Sequence, residues 1–225
     1  MRPLTINDYI GQERAKLLLN IAMTGAKRRC EPLEHVVIYG PPGLGKTTLA
    51  QIIANEMNVK LISGIGTTLQ SQADLLSMFD NVYEGDVVFI DEIHRLPIRI
   101  EELLYTAMED NYINIGNNKI TLPKFTLIGA TTKVGDLSEP LRDRFGHQLR
   151  LDYYSDEELG TVIKRTANVL GMRIDDEAVK ILASSARGTP RIANTFVRRA
   201  IDIAQAANEN VINETVALAT LKLLG

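Results

Sequence analysis

One glycine-rich segment, residues 40–47, carries the clearest chemical pattern in this sequence. It reads GPPGLGKT, which matches a glycine, four residues, a second glycine, a lysine and a serine or threonine. Glycines let successive backbone N–H groups approach phosphate oxygens, and the N-terminus of a following helix adds partial positive charge. We expect the Lys46 ammonium to bridge the β- and γ-phosphates of ATP, and the Thr47 hydroxyl to bind Mg²⁺. The residues predicted to bind the phosphates are Gly43, Leu44, Gly45, Lys46, Thr47 and Thr48.

Two adjacent acids follow an apolar run further along the chain. Residues 87–90 read VVFI and lead directly into Asp91 and Glu92. A strand that ends in two acids places the carboxylates at the carboxyl edge of an open α/β sheet, where such folds bind ligands. We expect Asp91 to hold the hydration shell of Mg²⁺, and Glu92 to orient or deprotonate the water that attacks the γ-phosphorus. The two motifs together predict hydrolysis of Mg-ATP.

The elements that must position these motifs alternate along the first two-thirds of the chain. Short β-branched runs between turn residues predict strands of a parallel sheet that is covered on both faces. Amphipathic stretches between them, at residues 47–57 and 98–109, predict crossover helices. The strands are predicted at residues 35–39, near 59–62, at 87–90, at 125–128 and near 148–151. This pattern predicts a doubly wound α/β core, and the alternation at residues 112–122 around GNN predicts a short β-hairpin.

The pattern changes near Ser155, where a serine and three acids have the composition of a helix N-terminus. Helices are predicted at residues 155–170, 175–185, 190–207 and 213–223, and no strand signal remains. The sequence therefore predicts an α/β core at residues 1–152 and a small all-helical domain at residues 153–225.

Composition excludes several classes of protein. The chain has 225 residues, of which 45% are hydrophobic, and no run of about 18 apolar residues predicts a membrane span. The 25 Lys and Arg against 28 Asp and Glu give a net charge of -3, so contact with nucleic acid requires a local patch or several subunits acting together. The single Cys30 excludes an internal disulfide and favours the cytoplasm.

Six segments, which include the two motifs above, stand in an order that resembles one family. They are GPPGLGKTTLA at 40–50, FIDEIHRL at 89–96, EELLYTAMED at 101–110, FTLIGATT at 125–132, PLRDRFG at 140–146 and RGTPRIAN at 187–194. Together with RPLTINDYIGQ at residues 2–12, they resemble the RuvB family of AAA+ ATPases, the bacterial motors that migrate Holliday junctions. The resemblance covers essentially the whole chain. It implies an AAA+ core, a helical lid, and a ring of six subunits that moves duplex DNA.

The resemblance also implies roles for three residues outside the first two motifs. Thr131 would sense the γ-phosphate, and Arg191 would be a second sensor carried on the lid. Arg144 would be an arginine finger that completes the ATP site of a neighbouring subunit, with the nearby Arg142 as the alternative. An ion pair between Arg144 and Asp143 is the simpler interpretation of the same residues.

The base of ATP would lie against Arg2, Tyr9, Ile10 and Tyr154 in the family arrangement, although packing between domains explains the same residues. Three other residues have no assigned role. Glu109 and Asp110 match either a motif close to the nucleotide or an ordinary acidic helix end. His94 either relays the state of the nucleotide to neighbouring loops or, as is more common for such a residue, has a structural role. Arg187, Arg198 and Arg199 are expected to be solvated or to lie at an interface.

Two departures from the family pattern leave the partners open. The family continues into a winged-helix DNA-binding domain after the lid, whereas this chain stops at residue 225, so DNA binding is expected to be weaker. The hairpin at residues 112–122 is shorter than the family hairpin that contacts the junction-binding partner RuvA, so this partnership is in doubt. The alternative to a DNA motor is a clamp-loader-like switch or a protein remodeller with the same ATP site.

Overall fold

The computed structural model describes residues 3–116 and 118–224. The strands are β1 Val36–Tyr39, β2 Leu61–Ile65, β3 Val87–Asp91, β4 Tyr112–Ile115, β5 Asn118–Thr121, β6 Thr126–Thr131, β7 His147–Arg150, β8 Arg173–Ile174 and β9 Val211–Ile212. The helices are α1 Glu13–Arg29, α2 Lys46–Met57, α3 Gln72–Phe79, α4 Ile98–Asp110, α5 Glu139–Asp143, α6 Asp156–Val169, α7 Asp176–Ser185, α8 Pro190–Ala206 and α9 Glu214–Leu224. Within the described ranges, no helix is both long and apolar enough to cross a membrane.

Five parallel strands form the main sheet, in the order β2-β3-β6-β1-β7. β1 lies in the interior of this sheet, where Tyr39 is opposite Thr131 on β6 and Arg150 on β7. β3 lies between β2 and β6 and pairs in register with both. Because all five strands are parallel, the carboxyl ends of β1, β3 and β6 meet at one edge of the sheet, and the predicted phosphate loop, acids and Thr131 lie at these ends.

Both faces of the sheet are covered, as its continuous apolar strands predict. Successive residues of β1 alternate between two hydrophobic clusters, since Val36 and Ile38 pack on the side of α1 and α2 whereas Val37 packs on the side of α3 and α4. The prediction of a doubly wound α/β fold followed by a helical lid is therefore confirmed.

Most predicted elements are present with boundaries that shift by one to three residues, but α1, α3 and the short α5 were missed. α1 was not predicted, because three of its large apolar side chains, Leu17, Leu18 and Ile21, are exposed and blur the amphipathic pattern. α3 was missed although Ser71 and Asp74 form a reciprocal capping box at its start. Only eight residues follow this cap, too few for a clear period, and α5 has only five.

The last third of the chain is a bundle of four helices, α6 to α9, and its predicted first turn is correct. Ser155 caps α6 in a capping box with Glu158. The expectation of an entirely helical domain is wrong in one detail, because β8 and β9 form a two-residue parallel pair. Strands this short leave no periodic signal in a sequence. The last strand of the main sheet ends at Arg150 and α6 begins at Asp156, and the division at residues 152 and 153 remains a prediction.

The predicted hairpin is present as β4 and β5. The two strands are antiparallel, with Tyr112 opposite Thr121 and Ile115 opposite Asn118. Each strand has four residues, so the hairpin is short, as the sequence indicates.

Candidate active site

The phosphate loop connects β1 to α2 and depends on three glycines with positive φ. Gly40, Gly43 and Gly45 have φ angles of 145°, 82° and 101°. A Cβ on Gly45 would lie 2.7 Å from the Tyr9 hydroxyl oxygen, and one on Gly43 would lie 2.8 Å from Thr189 Cγ2. The loop therefore needs glycine for both its conformation and its close packing. Gly45 is the N-cap residue of α2, so the first N–H groups of this helix face the loop.

Lys46 is the first residue of α2 and is almost fully buried, with 7% of its surface exposed. Its ammonium donates hydrogen bonds to the carbonyl oxygens of Gly40, at 2.7 Å, and Pro41, at 2.9 Å. Burial lowers the pKa of Lys46, while the carboxylates of Asp91 and Glu92 oppose this shift. Carbonyl oxygens therefore hold the Lys46 ammonium inside the loop. Negatively charged phosphate oxygens would accept stronger hydrogen bonds from it and could replace these carbonyl oxygens.

A cleft of about 550 Å³ opens in front of the loop and lies between the core and the lid. Twelve of the predicted site residues line it. They are Tyr9, Ile10, Gly43, Leu44, Gly45, Lys46, Thr47, Thr48, Asp91, Glu92, Tyr154 and Arg191. The structure therefore gathers residues that are up to 182 positions apart around one cavity (Tyr9 to Arg191). Arg2 was also predicted here, but it lies outside the described residues.

The two acids follow β3 directly and differ in backbone conformation. The Asp91 carboxylate accepts a hydrogen bond from the Glu92 N–H at 3.0 Å. Glu92 has φ 50° and ψ 44°, a left-handed conformation that is uncommon for residues other than glycine. This turn ends the strand and directs the chain into the short helix Ile93–Arg95. Such backbone strain is typical of functional sites.

The oxygen atoms that Thr47 and Asp91 offer at the cleft are suitable ligands for Mg²⁺. Thr47 and Asp91 both line the cleft and offer hard oxygen ligands. Among residues 3–116 and 118–224, no group of three or more His, Cys, Asp and Glu side chains could hold a metal ion. Mg²⁺ at phosphate-transfer sites takes only one or two protein oxygens, with phosphates and water as the other ligands. One hydroxyl and one carboxylate are therefore an appropriate set.

Thr131 lies behind the cleft rather than on its surface. Its side chain is fully buried, and the next residue, Thr132, lines the cleft instead. The Thr131 hydroxyl lies 2.8 Å from Nδ1 of His94 and accepts a hydrogen bond from the Lys133 N–H at 2.9 Å. On the other side of the imidazole, Nε2 lies 3.4 Å from the Glu92 carboxylate. His94 thus stands between two predicted catalytic residues.

Two tyrosines support the loop from the side of the predicted base. The hydroxyls of Tyr9 and Tyr154 both donate to the Leu44 carbonyl oxygen, at 3.2 and 3.4 Å. Burial is the main cause that raises the pKa of both tyrosines, so both stay neutral donors. They join the N-terminal segment, the loop and the start of the lid at a single carbonyl oxygen.

Arg191 brings the lid against the loop. Pro190 occupies the first turn of α8, where its missing N–H costs nothing, and the Arg191 N–H donates to the Gly43 carbonyl oxygen at 3.3 Å. The start of α8 therefore packs so closely on Gly43 that it leaves no room for a side chain at this position.

Several residues of the lid wall were missed by the sequence analysis. Asn194, Thr195 and Arg198 follow Arg191 at helical spacing on α8 and line the cleft. Arg198 was expected to be solvated or at an interface, and it is exposed, but α8 also turns it toward the cleft, which the sequence analysis did not predict. The spacing of three, four and seven residues from Arg191 was the available signal.

A second missed contact ties the lid to the N-terminal segment. Arg165 on α6 donates to the Asp8 carbonyl oxygen at 2.7 Å, and both residues line the cleft. Nothing in the local sequence links two residues 157 positions apart.

Arg144 does not line the cleft of its own chain. Its guanidinium contacts the Glu109 carboxylate at 3.0 Å, donates to the Pro140 carbonyl oxygen at 2.7 Å, and lies 4.5 Å from the centre of the Tyr105 ring. Its ion-pair partner is thus Glu109 rather than the Asp143 considered from the sequence. Within the described part of the chain, its Nε atom has no hydrogen-bond partner.

Comparison with known proteins agrees with this geometry. Residues 1–151 match the family model described as the Holliday junction DNA helicase RuvB P-loop domain, and residues 154–225 match the RuvB AAA lid domain. The chain is 49% identical to the "Holliday junction branch migration complex subunit RuvB" of Phytoplasma mali over 232 residues, which cover 100% of this chain and 70% of that protein. It is also 49% identical to the protein of the same name from Staphylococcus saprophyticus, over 234 residues that cover 100% of this chain and 70% of the relative.

Solved structures give the same answer. The chain is similar to a point mutant of Thermotoga maritima RuvB with a TM-score of 0.96 and 45% identity, covering 100% of this chain and 74% of that one. The structure titled "Thermotoga maritima RuvB Holliday junction branch migration motor" matches with a TM-score of 0.93 and 44% identity, covering 99% and 72%. With a phosphate loop, paired acids and a lid arginine around one cleft, and with both family models matched along its length, this chain belongs to the RuvB family of AAA+ ATP hydrolases.

Proposed function

We propose that copies of this chain form a ring, with six as the expected number, that hydrolyses Mg-ATP to move duplex DNA through a Holliday junction. The observation that carries the proposal is the single cleft that joins phosphate loop, acids and lid. Motion of the lid relative to the core would follow the state of the nucleotide, because the two parts touch across that cleft. We propose the same two units as above, at residues 1–152 and 153–225.

The core residues that line the cleft support a shared set of proposed roles. Thr47 and Asp91 would hold Mg²⁺, which neutralises charge on the phosphates when it is bound. Lys46 would exchange its two carbonyl partners for β- and γ-phosphate oxygens. Glu92 would orient the attacking water and accept its proton. Thr131 would report on the γ-phosphate from behind the cleft.

The base would lie against the N-terminal segment and the start of the lid. Tyr9, Ile10 and Tyr154 line the cleft beside the loop, and their largely apolar side chains favour a flat purine ring over a charged group. Arg2 is proposed as a further contact on family grounds alone. Arg191 would approach the phosphates from the lid and so couple their presence to the position of α8.

Arg144 is proposed to act on the ATP of a neighbouring subunit. It is absent from the lining of its own cleft, so it is not placed to act on the ATP of its own chain. A guanidinium supplied in trans stabilises the charge of the transferring phosphoryl group and can be worth about 10³–10⁵ in rate. Its contacts with Glu109 and Tyr105 would hold it ready at the subunit edge.

DNA and a junction-binding protein are the proposed partners. The relatives are named as subunits of a Holliday junction branch migration complex, and we propose that this chain works in such a complex. The short hairpin formed by β4 and β5 is the candidate contact for the junction-binding protein. The residues of β5 are exposed, which allows such a contact, although the hairpin is short. We place the reaction in the cytoplasm, since Cys30 is a free, exposed thiol.

ATP turnover measured with and without DNA tests this function. We expect four-way-junction or duplex DNA to stimulate turnover at low salt, and the stimulation to fall as salt rises, because phosphate contacts release counterions. Lys46→Ala should abolish turnover under every condition and serves as the background. Turnover that ignores both kinds of DNA at low salt would contradict the motor, and would favour an ATP-driven switch or remodeller with the same site.

A further inference from the structure

Arg144 is carried at the C-terminal cap of α5, a helix of only five residues that lies against α4. A helix this short is not stable by itself, so its position must come from packing. Its Leu141 side chain is fully buried and anchors it to the core. An apolar anchor does not fix the direction of a long side chain, so the direction of the Arg144 guanidinium depends on its polar contacts.

Three polar side chains supply those contacts from α4. Glu101, Tyr105 and Glu109 follow one another at intervals of four residues, a spacing that puts them on one face of the helix. The central carbon of the Arg144 guanidinium lies 4.5 Å from the centre of the Tyr105 ring, and Glu109 forms an ion pair with the same group at 3.0 Å. Glu101 contacts the start of α5 instead, because its carboxylate accepts a hydrogen bond from the Ser138 hydroxyl. This face of α4 therefore holds both ends of α5.

Glu101 is the fixed point of the arrangement. Only 8% of its surface is exposed, and its hydrogen-bond partners among the described residues are two hydroxyls rather than a cation. The Tyr105 hydroxyl donates to Oε1 at 2.9 Å, and the Ser138 hydroxyl donates to the same oxygen. Burial is the main cause that raises the pKa of Tyr105, so its hydroxyl keeps the hydrogen that it donates. A buried carboxylate is costly to leave without hydrogen bonds, so these contacts resist displacement.

The contacts of the Arg144 guanidinium differ in how easily a phosphate could replace them. One terminal nitrogen donates to the Pro140 carbonyl oxygen at 2.7 Å, and the other contacts Glu109. The Glu109 side chain is 55% exposed, and an exposed ion pair contributes little, so this contact is the one to be exchanged. The Tyr105 ring does not compete with a phosphate, because the N–H groups of a guanidinium point outward in its plane.

We propose that Tyr105 is a positioning residue, joined through Glu101 to Ser138, that directs the Arg144 guanidinium toward the ATP of a neighbouring subunit. This inference rests on the role proposed above for Arg144 and adds the residues that fix its direction. A displacement of about 1 Å at a group that acts on the reacting atoms can cost about a hundredfold in rate. A support of this kind therefore affects turnover without touching the nucleotide.

Two substitutions at Tyr105 test the support. Tyr105→Leu removes the ring and its hydroxyl but keeps an apolar side chain on α4. We expect kcat to fall about ten- to a hundredfold, with KM changed by less than about twofold, because Tyr105 is not among the described residues that line the cleft. Tyr105→Phe keeps the ring and loses only the hydrogen bond to Glu101, so its kcat should lie between the two. Wild-type turnover in Tyr105→Leu would overturn the proposal.

Mixed rings separate a role through Arg144 from a role inside the subunit that carries Tyr105. Subunits with Lys46→Ala do not hydrolyse ATP but keep a correctly held Arg144. Added to Tyr105→Leu subunits, they should raise the turnover per Tyr105→Leu subunit several-fold, because some intact clefts then face a wild-type guanidinium. No rise at any mixing ratio would mean that Tyr105 supports the cleft of its own chain, and the proposal would be wrong.

The double variant of Arg144→Ala and Tyr105→Leu distinguishes failure of this inference from failure of the proposed function. It should turn over ATP no more slowly than Arg144→Ala alone, whereas multiplied effects would refute the proposal, since Tyr105 would then act independently of Arg144. Wild-type turnover in Arg144→Ala alone would refute the proposed finger, and this inference with it. Loss of turnover in Arg144→Ala together with wild-type turnover in Tyr105→Leu would refute the inference alone.

Tyr83 provides a matched control. The Lys60 ammonium lies 4.9 Å from the centre of the Tyr83 ring, so this tyrosine also contacts a cation, and neither residue belongs to the described lining of the cleft. Tyr83→Leu should leave kcat and KM at wild-type values, and an equal loss in both leucine variants would contradict a specific role for Tyr105. Urea denaturation checks that each variant is folded. If Tyr105→Leu is unfolded, Tyr105→Phe takes its place, and a lowered kcat that Lys46→Ala subunits do not restore would overturn the proposal.

Discussion

The two walls of the cleft are built in different ways. The core wall lies at the ends of adjacent strands, and residues 42–48 alone supply much of it. The lid wall consists of long side chains from α6 and α8, such as Arg165, Arg191 and Arg198. Much of one wall is local in sequence, whereas the other is assembled by the packing of distant segments and would move with the lid in the proposed function. Binding of phosphates should therefore depend on the first wall, and the response to their presence on the second.

The largest effect is expected from a residue that belongs to neither wall. Arg144→Ala should lower kcat by about 10³–10⁵, because the neighbouring site loses its guanidinium. Arg142 is the alternative candidate for the arginine finger. Because Arg144 is the residue proposed for that role, Arg142→Ala should keep most of the turnover. Mixtures of Arg144→Ala and Lys46→Ala subunits should recover part of the activity through interfaces that combine an intact loop with an intact finger. Steady-state turnover over a range of mixing ratios measures this, and no recovery at any ratio would argue against action in trans.

The core wall can be broken by a single methyl group. Gly45→Ala requires φ 101° from an alanine and places its Cβ 2.7 Å from the Tyr9 hydroxyl. The affinity for ATP should fall at least about tenfold, with about 1–3 kcal/mol lost from the free energy of unfolding. Calorimetric titration and urea denaturation measure the two effects.

Gly135→Ala is the matched control for that substitution. A Cβ at this position would meet no atom within 4 Å, and the φ of Gly135 is not in the positive range that strains an alanine. Wild-type affinity in this variant and unchanged affinity in Gly45→Ala together would mean that the loop does not need its geometry.

The lid wall should respond more mildly. Arg198 lines the cleft, whereas its neighbour Arg199 forms an exposed ion pair with Asp202 on another face of α8. Arg198→Ala should weaken ATP binding about three- to thirtyfold, because a charged hydrogen bond contributes about 1.5–3 kcal/mol when it is well placed, less when partly solvated. Arg199→Ala should change the affinity by less than about twofold. Equal effects of the two variants would refute the proposed direction of this helix face.

The smallest effect concerns the sheet beneath the core wall. His35 Nδ1 accepts from the Leu127 N–H at 2.9 Å, and Nε2 lies 3.1 Å from the Met108 carbonyl oxygen. Burial is the largest cause that lowers the pKa of His35 below its ordinary value of 6.5. The unfolded chain therefore binds the proton more readily than the folded one, so stability should decline as the pH falls below about 6.5. Urea denaturation between pH 7.5 and 5 (an interval set by the ordinary imidazole value of about 6.5) should show a decline that is smaller in His35→Asn, and equal declines in both would contradict this assignment.

The core wall was largely readable from the sequence because its chemistry is local. Gly43, Lys46 and Thr47 are neighbours along the chain, and Asp91 and Glu92 directly follow an apolar strand. The lid wall was only partly readable. Arg191 was found through the family resemblance, whereas Arg165 and Arg198 were missed because their relevance depends on how α6 and α8 are oriented against the core.

Two other differences have the same origin. Thr131 was placed near the phosphates by analogy, yet its side chain is buried behind the cleft and meets His94, which no spacing rule predicts. The partner of Arg144 is Glu109 on α4, 35 positions earlier, rather than the adjacent Asp143. Side-chain pairing across elements depends on their relative rotation, and this is a property of packing.

The amino-acid sequence by itself determined the succession of apolar runs, the glycine loop and the paired acids, because each of these depends on neighbouring residues and on a repeating period. Only the tertiary structure decided which arginines face the cleft, that a buried imidazole joins Thr131 to Glu92, and that Arg144 turns away from its own ATP site. Those arrangements require distant segments to meet, and the direction in which a helix presents its side chains is set by the core against which it packs.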